Sequence, residues 1–241
     1  MHRLREMTLV LLLVVVGANP KSADVDPVAV AALEKMTTSV RGLTALSVQA
    51  IVETDEVLEN GQKVTHASSI ALTMHRPNRL HVDVKTEGSL RQLFFDGQSF
   101  TIWSPRAGYY ASAKAPGTIA DLITLGAERY AFDLPFNEVF PWEHFAPGEL
   151  RAAASLGLNL VDGVECEHFA FRQRGLDWEL WIEQGADALP RKVQLTSTRE
   201  NPQADRRVTY TWVRGLVGEE SQFTFTPPKE ARKIELRERA Q

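Results

Sequence analysis

The residues best suited by type to do chemistry are four in a row, Glu165, Cys166, Glu167 and His168. A thiolate and an imidazole can ligate a soft metal or form a nucleophile–base pair. On a strand, however, successive side chains point to opposite faces. Glu165 and Glu167 then point one way, and Cys166 and His168 the other. Only two soft ligands converge, with no third nearby in the sequence, whereas a structural metal site closes with four. Cys166 reads as a small buried hydrophobe. A second candidate pair is Glu138 and Glu143, set among aromatic residues and prolines. Two carboxylates beside sugar-stacking rings are the parts of a glycoside hydrolase. Carboxylates on a short helix are more often simply solvated. His66, His75 and His81 are isolated, on or beside strands. The sequence has no Gly-x-Ser-x-Gly elbow, no glycine-rich phosphate loop and no dinucleotide fingerprint. No catalytic residue, metal or cofactor is therefore expected. A hydrolase would need two carboxylates or a Ser–His pair to converge in a cleft.

Stepping outward from these residues, the N-terminus argues for export. His2, Arg3 and Arg5 are followed by an almost wholly apolar run from Thr8 to Gly17, and Val16-Gly17-Ala18 suits a signal peptidase. The run is short for a membrane span, which needs about 20 apolar residues. Residues 1–18 read as a cleaved signal and 19–241 as one mature domain in the periplasm, with no stable membrane span after cleavage. No cysteine stands at the end of the apolar run to take a lipid. The single cysteine cannot close an intrachain disulfide, so packing must supply the stability. The net charge is −4 and the basic residues are dispersed, which argues against nucleic acid as a partner.

The mature chain opens with one helix. Pro27 suits a first helical turn, aspartates precede it, and Val30, Leu33, Met36, Thr37 and Val40 recur at helical spacing up to Arg41-Gly42. The period then changes to two. Leu46, Val48, Ala50 and Val52 alternate with polar residues, as do Ile70, Leu72 and Met74, then Leu80, Val82 and Val84. Glu59-Asn60-Gly61 and Asp96-Gly97 are hairpin turns. A second helix is expected from Thr118 to Tyr130, with Thr118 as its N-cap and Asp121 in a capping box. Leu134 to Phe145 reads as a short helix or lid-like crossover. Alternation resumes at Leu156, Leu158 and Leu160 and runs through Phe169/Phe171, Trp178/Leu180/Ile182, Val193/Leu195 and Val208/Tyr210/Trp212. A last strand is expected over Gln222 to Phe225. About eleven strands of ordinary length fit.

Two helices are too few to cover that many strands laid flat. A sheet with one apolar face needs a cover on that side. The fold class is therefore α+β, mainly antiparallel β: an unclosed, strongly curved half-barrel with helices on its open side. The concave face is a natural ligand site. Its candidate lining is Leu72, Val82, Phe95, Phe100, Ile102, Leu122, Phe136, Phe169, Phe171, Trp178, Leu180, Tyr210 and Trp212. Taken singly, each of these aromatics more often just fills a core.

Four segments carry a resemblance: Arg76-Pro77-Asn78-Arg79-Leu80, Phe95-Asp96-Gly97-Gln98, Trp181-Ile182-Glu183 leading to Leu189-Pro190-Arg191-Lys192, and Phe223-Thr224-Phe225-Thr226-Pro227-Pro228. In this order they resemble the DUF2092 family of predicted bacterial periplasmic proteins, over nearly the whole mature chain. That family looks related to the lipoprotein-carrier fold of LolA, LolB and RseB-type sensor domains. The resemblance implies a half-barrel plugged by helices and a hydrophobic cavity for a lipid or lipoprotein acyl chain. It implies no catalytic residue. The chain departs from LolB-like members in lacking a lipid-attachment cysteine. Two expectations stand side by side: a non-enzymatic periplasmic carrier or sensor of lipid, or an interaction module with a filled core that docks another envelope protein.

Overall fold

The structure is a computed structural model, and it describes residues 25–115, 117–130, 135, 139–141, 147–199, 201–213 and 218–238. The first helix, α1 (Pro27–Gly42), starts where proline pre-sets the backbone, and the Asp26 carboxylate accepts the Val28 N–H at 2.9 Å. Asp26 also binds the chain ahead, donating its N–H to the Ala153 carbonyl and accepting the Ser155 N–H. Twelve strands follow: β1 (Ala45–Val57), β2 (Lys63–His75), β3 (Arg79–Lys85), β4 (Leu90–Phe95), β5 (Ser99–Ser104), β6 (Tyr109–Lys114), β7 (Ala152–Val161), β8 (Val164–Gln173), β9 (Leu176–Glu183), β10 (Pro190–Ser197), β11 (Asp205–Val213) and β12 (Arg232–Lys233). The second helix, α2 (Ile119–Leu125), lies between β6 and β7 and runs on into a π-helical turn, Gly126–Tyr130.

All twelve strands belong to one sheet in the order β12-β6-β5-β4-β3-β2-β1-β11-β10-β9-β8-β7. Two antiparallel meanders, β1–β6 and β7–β11, join where β1 pairs with β11 from Ser47↔Val213 to Thr54↔Arg206. The outermost strands, β12 and β7, do not pair with each other, so the sheet is unclosed. Only β12 is parallel to its neighbour within the sheet. Register fixes which side chains share a face. Leu72↔Val82, Val82↔Leu93 and Phe95↔Phe100 carry the apolar face across the first meander. Ala50↔Tyr210, Val48↔Trp212, Phe169↔Leu180 and Phe171↔Trp178 carry it across the second. Ala29, Leu33, Met36 and Val40 of α1 and Ile119 and Leu122 of α2 pack into the same core. The helical face of α1 thus starts from Ala29, with Val30 half-buried beside it.

Two expectations are corrected. Gln222 to Phe225 is not a strand: Glu220–Phe223 is a single 3-10 turn, and the last strand is Arg232–Lys233. The aromatics of this segment pack on the sheet's outer face and take no place in its ladder. Phe225 sits against Phe94, Trp103 and Tyr110 at 5.1–5.7 Å between ring centroids, and Phe223 lies 4.9 Å from His75. Leu156, Leu158 and Leu160 do form a strand, but they stay exposed at 52%, 64% and 64%. They belong to the edge strand β7, where a bulge between Ser155 and Gly157 breaks the register and nothing covers them among the described residues.

Candidate functional site

The concave face gathers most of the residues picked out by alternation. Leu72, Val82, Phe95, Phe100, Leu122, Phe169, Phe171, Trp178, Leu180, Tyr210 and Trp212 are all buried in one cluster, and Ile102 packs half-buried against it. Phe136 lies outside the described residues, as do Glu138 and Glu143. Phe171 and Trp178 stack at 4.1 Å and 19°, and Tyr210 and Trp212 face each other at 6.3 Å. The Trp212 indole donates to the Pro190 carbonyl at 2.7 Å, so the ring's polar edge is satisfied inside an apolar surround. Burial holds the Tyr210 phenol well above its ordinary value and keeps it neutral. Alternation along β1 and the helical spacing of α1 also marked Val48, Ala50, Val52, Leu33 and Met36, which complete the lining.

The α2 helix sits on this face, and its base is a built joint. Thr118 accepts the Asp121 N–H at 3.2 Å, and Asp121 accepts the Thr118 N–H at 2.7 Å and its hydroxyl at 2.8 Å. This is the capping box expected from the sequence. The Ile119 N–H donates to the Pro77 carbonyl at 2.8 Å, and the Gly117 N–H to the Gly97 carbonyl at 3.3 Å. The two turns are locked together beneath it. Arg79 donates to the Asp96 carbonyl at 2.6 Å and to the Asn78 amide oxygen at 3.2 Å, and Gly97 (φ 82°) leaves no room for a side chain, since a Cβ would stand 2.6 Å from Asn78 Nδ2. At its far end the π-helical turn brings Tyr130 edge-on to Phe100 at 5.6 Å.

The residues that suggested chemistry are engaged in packing. Cys166 is fully buried with Val161 and Trp181 on the outer face, and burial pushes its thiol up. His168 stacks on Trp181 at 4.2 Å and bonds Glu179 at 2.7 Å. Lys192 covers the other side of the Trp181 ring at 4.6 Å. Among the described residues, no three His, Cys, Asp or Glu side chains are grouped to hold a metal.

The description that matches this sequence is that of a "Predicted periplasmic protein (DUF2092)", over residues 29–237. The chain belongs to the DUF2092 family. Its place is the periplasm, in line with the exported N-terminus expected above, and no described helix is long and apolar enough to cross a membrane. No curated protein matches the sequence. Solved structures with a distant likeness include the lipoprotein LppX of Mycobacterium tuberculosis, 11% identical over 79% of this chain and 98% of that one, with a TM-score of 0.43. LprF from Mycobacterium bovis is 14% identical over 88% and 100%, with a TM-score of 0.45. A LolA superfamily protein from Nitrosomonas europaea is 10% identical over 82% and 97%, with a TM-score of 0.30. Likeness at this level transfers no residue role to the family member described above.

Proposed function

We propose that this protein is a non-enzymatic binding protein of the periplasm that carries or senses a lipid or lipoprotein acyl chain. The acyl chain lies on the concave face, against Leu72, Val82, Phe95, Phe100, Ile102, Phe169, Phe171, Trp178, Leu180, Tyr210 and Trp212, with Leu122 on the covering side. The observation that carries the reading is the extent of the apolar face. It runs from Phe100 on β5 to Phe171 on β8, across an unclosed sheet, and among the described residues it is covered by α1, the seven-residue α2 and the buried Val139 and Phe140. An acyl chain that slides under α2 exchanges water for this lining at about 0.8 kcal/mol per methylene. For about fifteen methylenes the gross gain is on the order of 12 kcal/mol, from which the work of lifting the cover is subtracted.

The closeness of the packing favours a second reading. Leu72, Phe95, Phe100 and Leu180 are 0% exposed, so the concave side is filled by the protein's own side chains. In that reading the domain is an interaction or sensor module that docks another envelope protein. Native mass spectrometry of the mature protein purified from the envelope, followed by organic extraction, separates the two. A co-purifying lipid or acylated species is expected. A bare protein mass, with no uptake when a lipid panel is added back, overturns the carrier reading in favour of docking.

A further inference from the structure

At one end of the second meander three arginines meet from three separate parts of the chain. Arg151 precedes β7, Arg174 stands in the β8–β9 turn and Arg199 follows β10. With Glu149, Gln173, Gly175, Leu176 and Ser197 they line an open cleft of about 710 Å³. Backbone hydrogen bonds hold the three segments together: Arg151 N–H to the Arg172 carbonyl at 2.8 Å, and Thr198 N–H to the Gly175 carbonyl at 3.1 Å. Gly175 (φ 77°) also leaves its α-carbon bare where the Arg199 side chain lies across it; a Cβ there would collide with Arg199 Nε.

Three other arginines of this meander behave differently. Arg172 meets Asp177 in a two-pronged pair, Arg191 meets Glu183, and Arg207 meets Asp205 and Asp55. Arg151, Arg174 and Arg199 make no ion pair with any described residue, and their cleft holds one carboxylate, Glu149, against three guanidiniums. Three like charges lining one cleft beside a single carboxylate repel one another unless a further anion joins them. A further group points the same way. Gln173, the last residue of β8, has its amide nitrogen Nε2 out of contact with solvent and without a hydrogen-bond partner. A buried donor left unmade is costly, and since Gln173 lines the cleft, a turn of its amide would bring this donor to an acceptor there. Guanidinium forks and an amide N–H are the donor set that phosphoryl oxygens take.

We infer that this cleft is a binding site for a phosphate-type oxyanion. Its volume exceeds that of free phosphate and suits a phosphodiester with its flanking groups. Its floor includes Leu176, which packs half-buried against the concave core, so an apolar substituent on the anion would find contact there. The site stands on its own residues and does not depend on the reading of the concave face.

The test is a titration of the mature protein with inorganic phosphate, followed by NMR of the arginine Nε–H groups, beside flotation with vesicles of equal parts phosphatidylcholine and phosphatidylglycerol. Saturable shifts at Arg151, Arg174 and Arg199 with free phosphate, and no flotation, identify a soluble phosphate compound. Flotation that pure phosphatidylcholine vesicles do not give identifies a phospholipid head group. In either case binding should fall by roughly tenfold for each arginine changed to glutamine and should weaken as salt rises. Glu149→Gln should strengthen it, which keeps the test decisive even where a multiple arginine variant folds poorly. Absence of both shifts and flotation, or binding unchanged in the Arg151→Gln, Arg174→Gln and Arg199→Gln variants, overturns the site.

Discussion

Replacing Thr118 by alanine tests whether α2 is the gate to the concave face. The substitution removes the oxygen that accepts the Asp121 N–H at 3.2 Å and the hydroxyl that donates to Asp121 Oδ2 at 2.8 Å, and it leaves the Thr118 N–H on the same carboxylate. Loss of a threonine N-cap costs about 1 kcal/mol. In a helix of seven residues that cost falls on the local equilibrium between seated and lifted, because Ile119 and Leu122 are the only fully buried contacts α2 itself supplies. A shift of about 1 kcal/mol raises the lifted population roughly fivefold. Hydrogen exchange should therefore quicken by that factor over residues 119–130 while the strands stay protected. Stopped-flow uptake of a fluorescent fatty acid should quicken in parallel, since loading is limited by opening. Lowering the pH has the same direction. The Thr118 N–H and hydroxyl hold the Asp121 carboxyl below its usual range, so its contribution is complete above about pH 4 and is lost as the pH falls through its folded-state value. Faster exchange in α2 with an unchanged rate of fatty-acid uptake would refute the gating argument, because the helix would then be loose without being the door.

Two further outcomes follow from groups away from this joint. Asp55 is nearly fully buried on β1, where Lys63 at 2.8 Å, the Thr65 hydroxyl at 2.8 Å and the Asp205 N–H hold its carboxyl below the usual range; Asp55→Asn should lower stability by about 2 kcal/mol, or about 4–8 °C in Tm, in a thermal melt at neutral pH. A depressed carboxyl stabilises above its unfolded value and stops doing so as the pH falls through the folded one, so the gap between the two proteins should close below about pH 4; a gap as large in acid would count against it. Cys166 is fully buried with its thiol pushed up, so thiol reagents should label the folded protein far more slowly than the urea-unfolded protein, and rapid native labelling would contradict that burial.

Much of this architecture was legible because period-two alternation depends only on local sequence. The pairs Leu72↔Val82, Phe95↔Phe100 and Phe171↔Trp178 sit on the face that alternation assigned to them, and Thr118 with Asp121 caps α2 as their spacing implied. What failed was information that depends on neighbours. Leu156, Leu158 and Leu160 alternate as well as any inward row, but they fall on the edge strand, at and beyond a bulge, where no described element covers them. Phe223 and Phe225 have strand-like spacing, yet they pack on the outer face instead of entering the ladder, Phe225 against Phe94, Trp103 and Tyr110 and Phe223 against His75. The arginine cleft was invisible for a related reason. Arg151, Arg174 and Arg199 belong to no motif, and only the β7–β8–β9–β10 pairing brings them to one end of the sheet.

The segments through which the sequence resembles its family turn out to be joints of the fold, and three of them meet around the base of α2. The Arg76–Arg79 turn receives Ile119 on the Pro77 carbonyl, the Asp96-Gly97 turn receives Gly117, and Arg79 reaches from the first turn to the Asp96 carbonyl in the second. The C-terminal segment closes the same corner from outside, where Phe223 packs on His75 and Phe225 on Phe94, and Glu220 just ahead of it bonds Arg79 at 2.9 Å. At its other end the covering segment is held differently. Arg129 pairs with Glu238, but both side chains are more than half exposed, and such pairs are screened and weak. Ile123 stays 39% exposed and Leu125 only half-buried. The cover is thus pinned by backbone hydrogen bonds at Gly117 and Ile119, and beyond Leu122 its described contacts with the core are apolar ones, through Leu125 and Tyr130. Opening of the cover, as the proposed function requires, would have to part Tyr130 from Phe100 at β5, whereas the Phe171–Trp178 stack lies on the second meander and could stay in place.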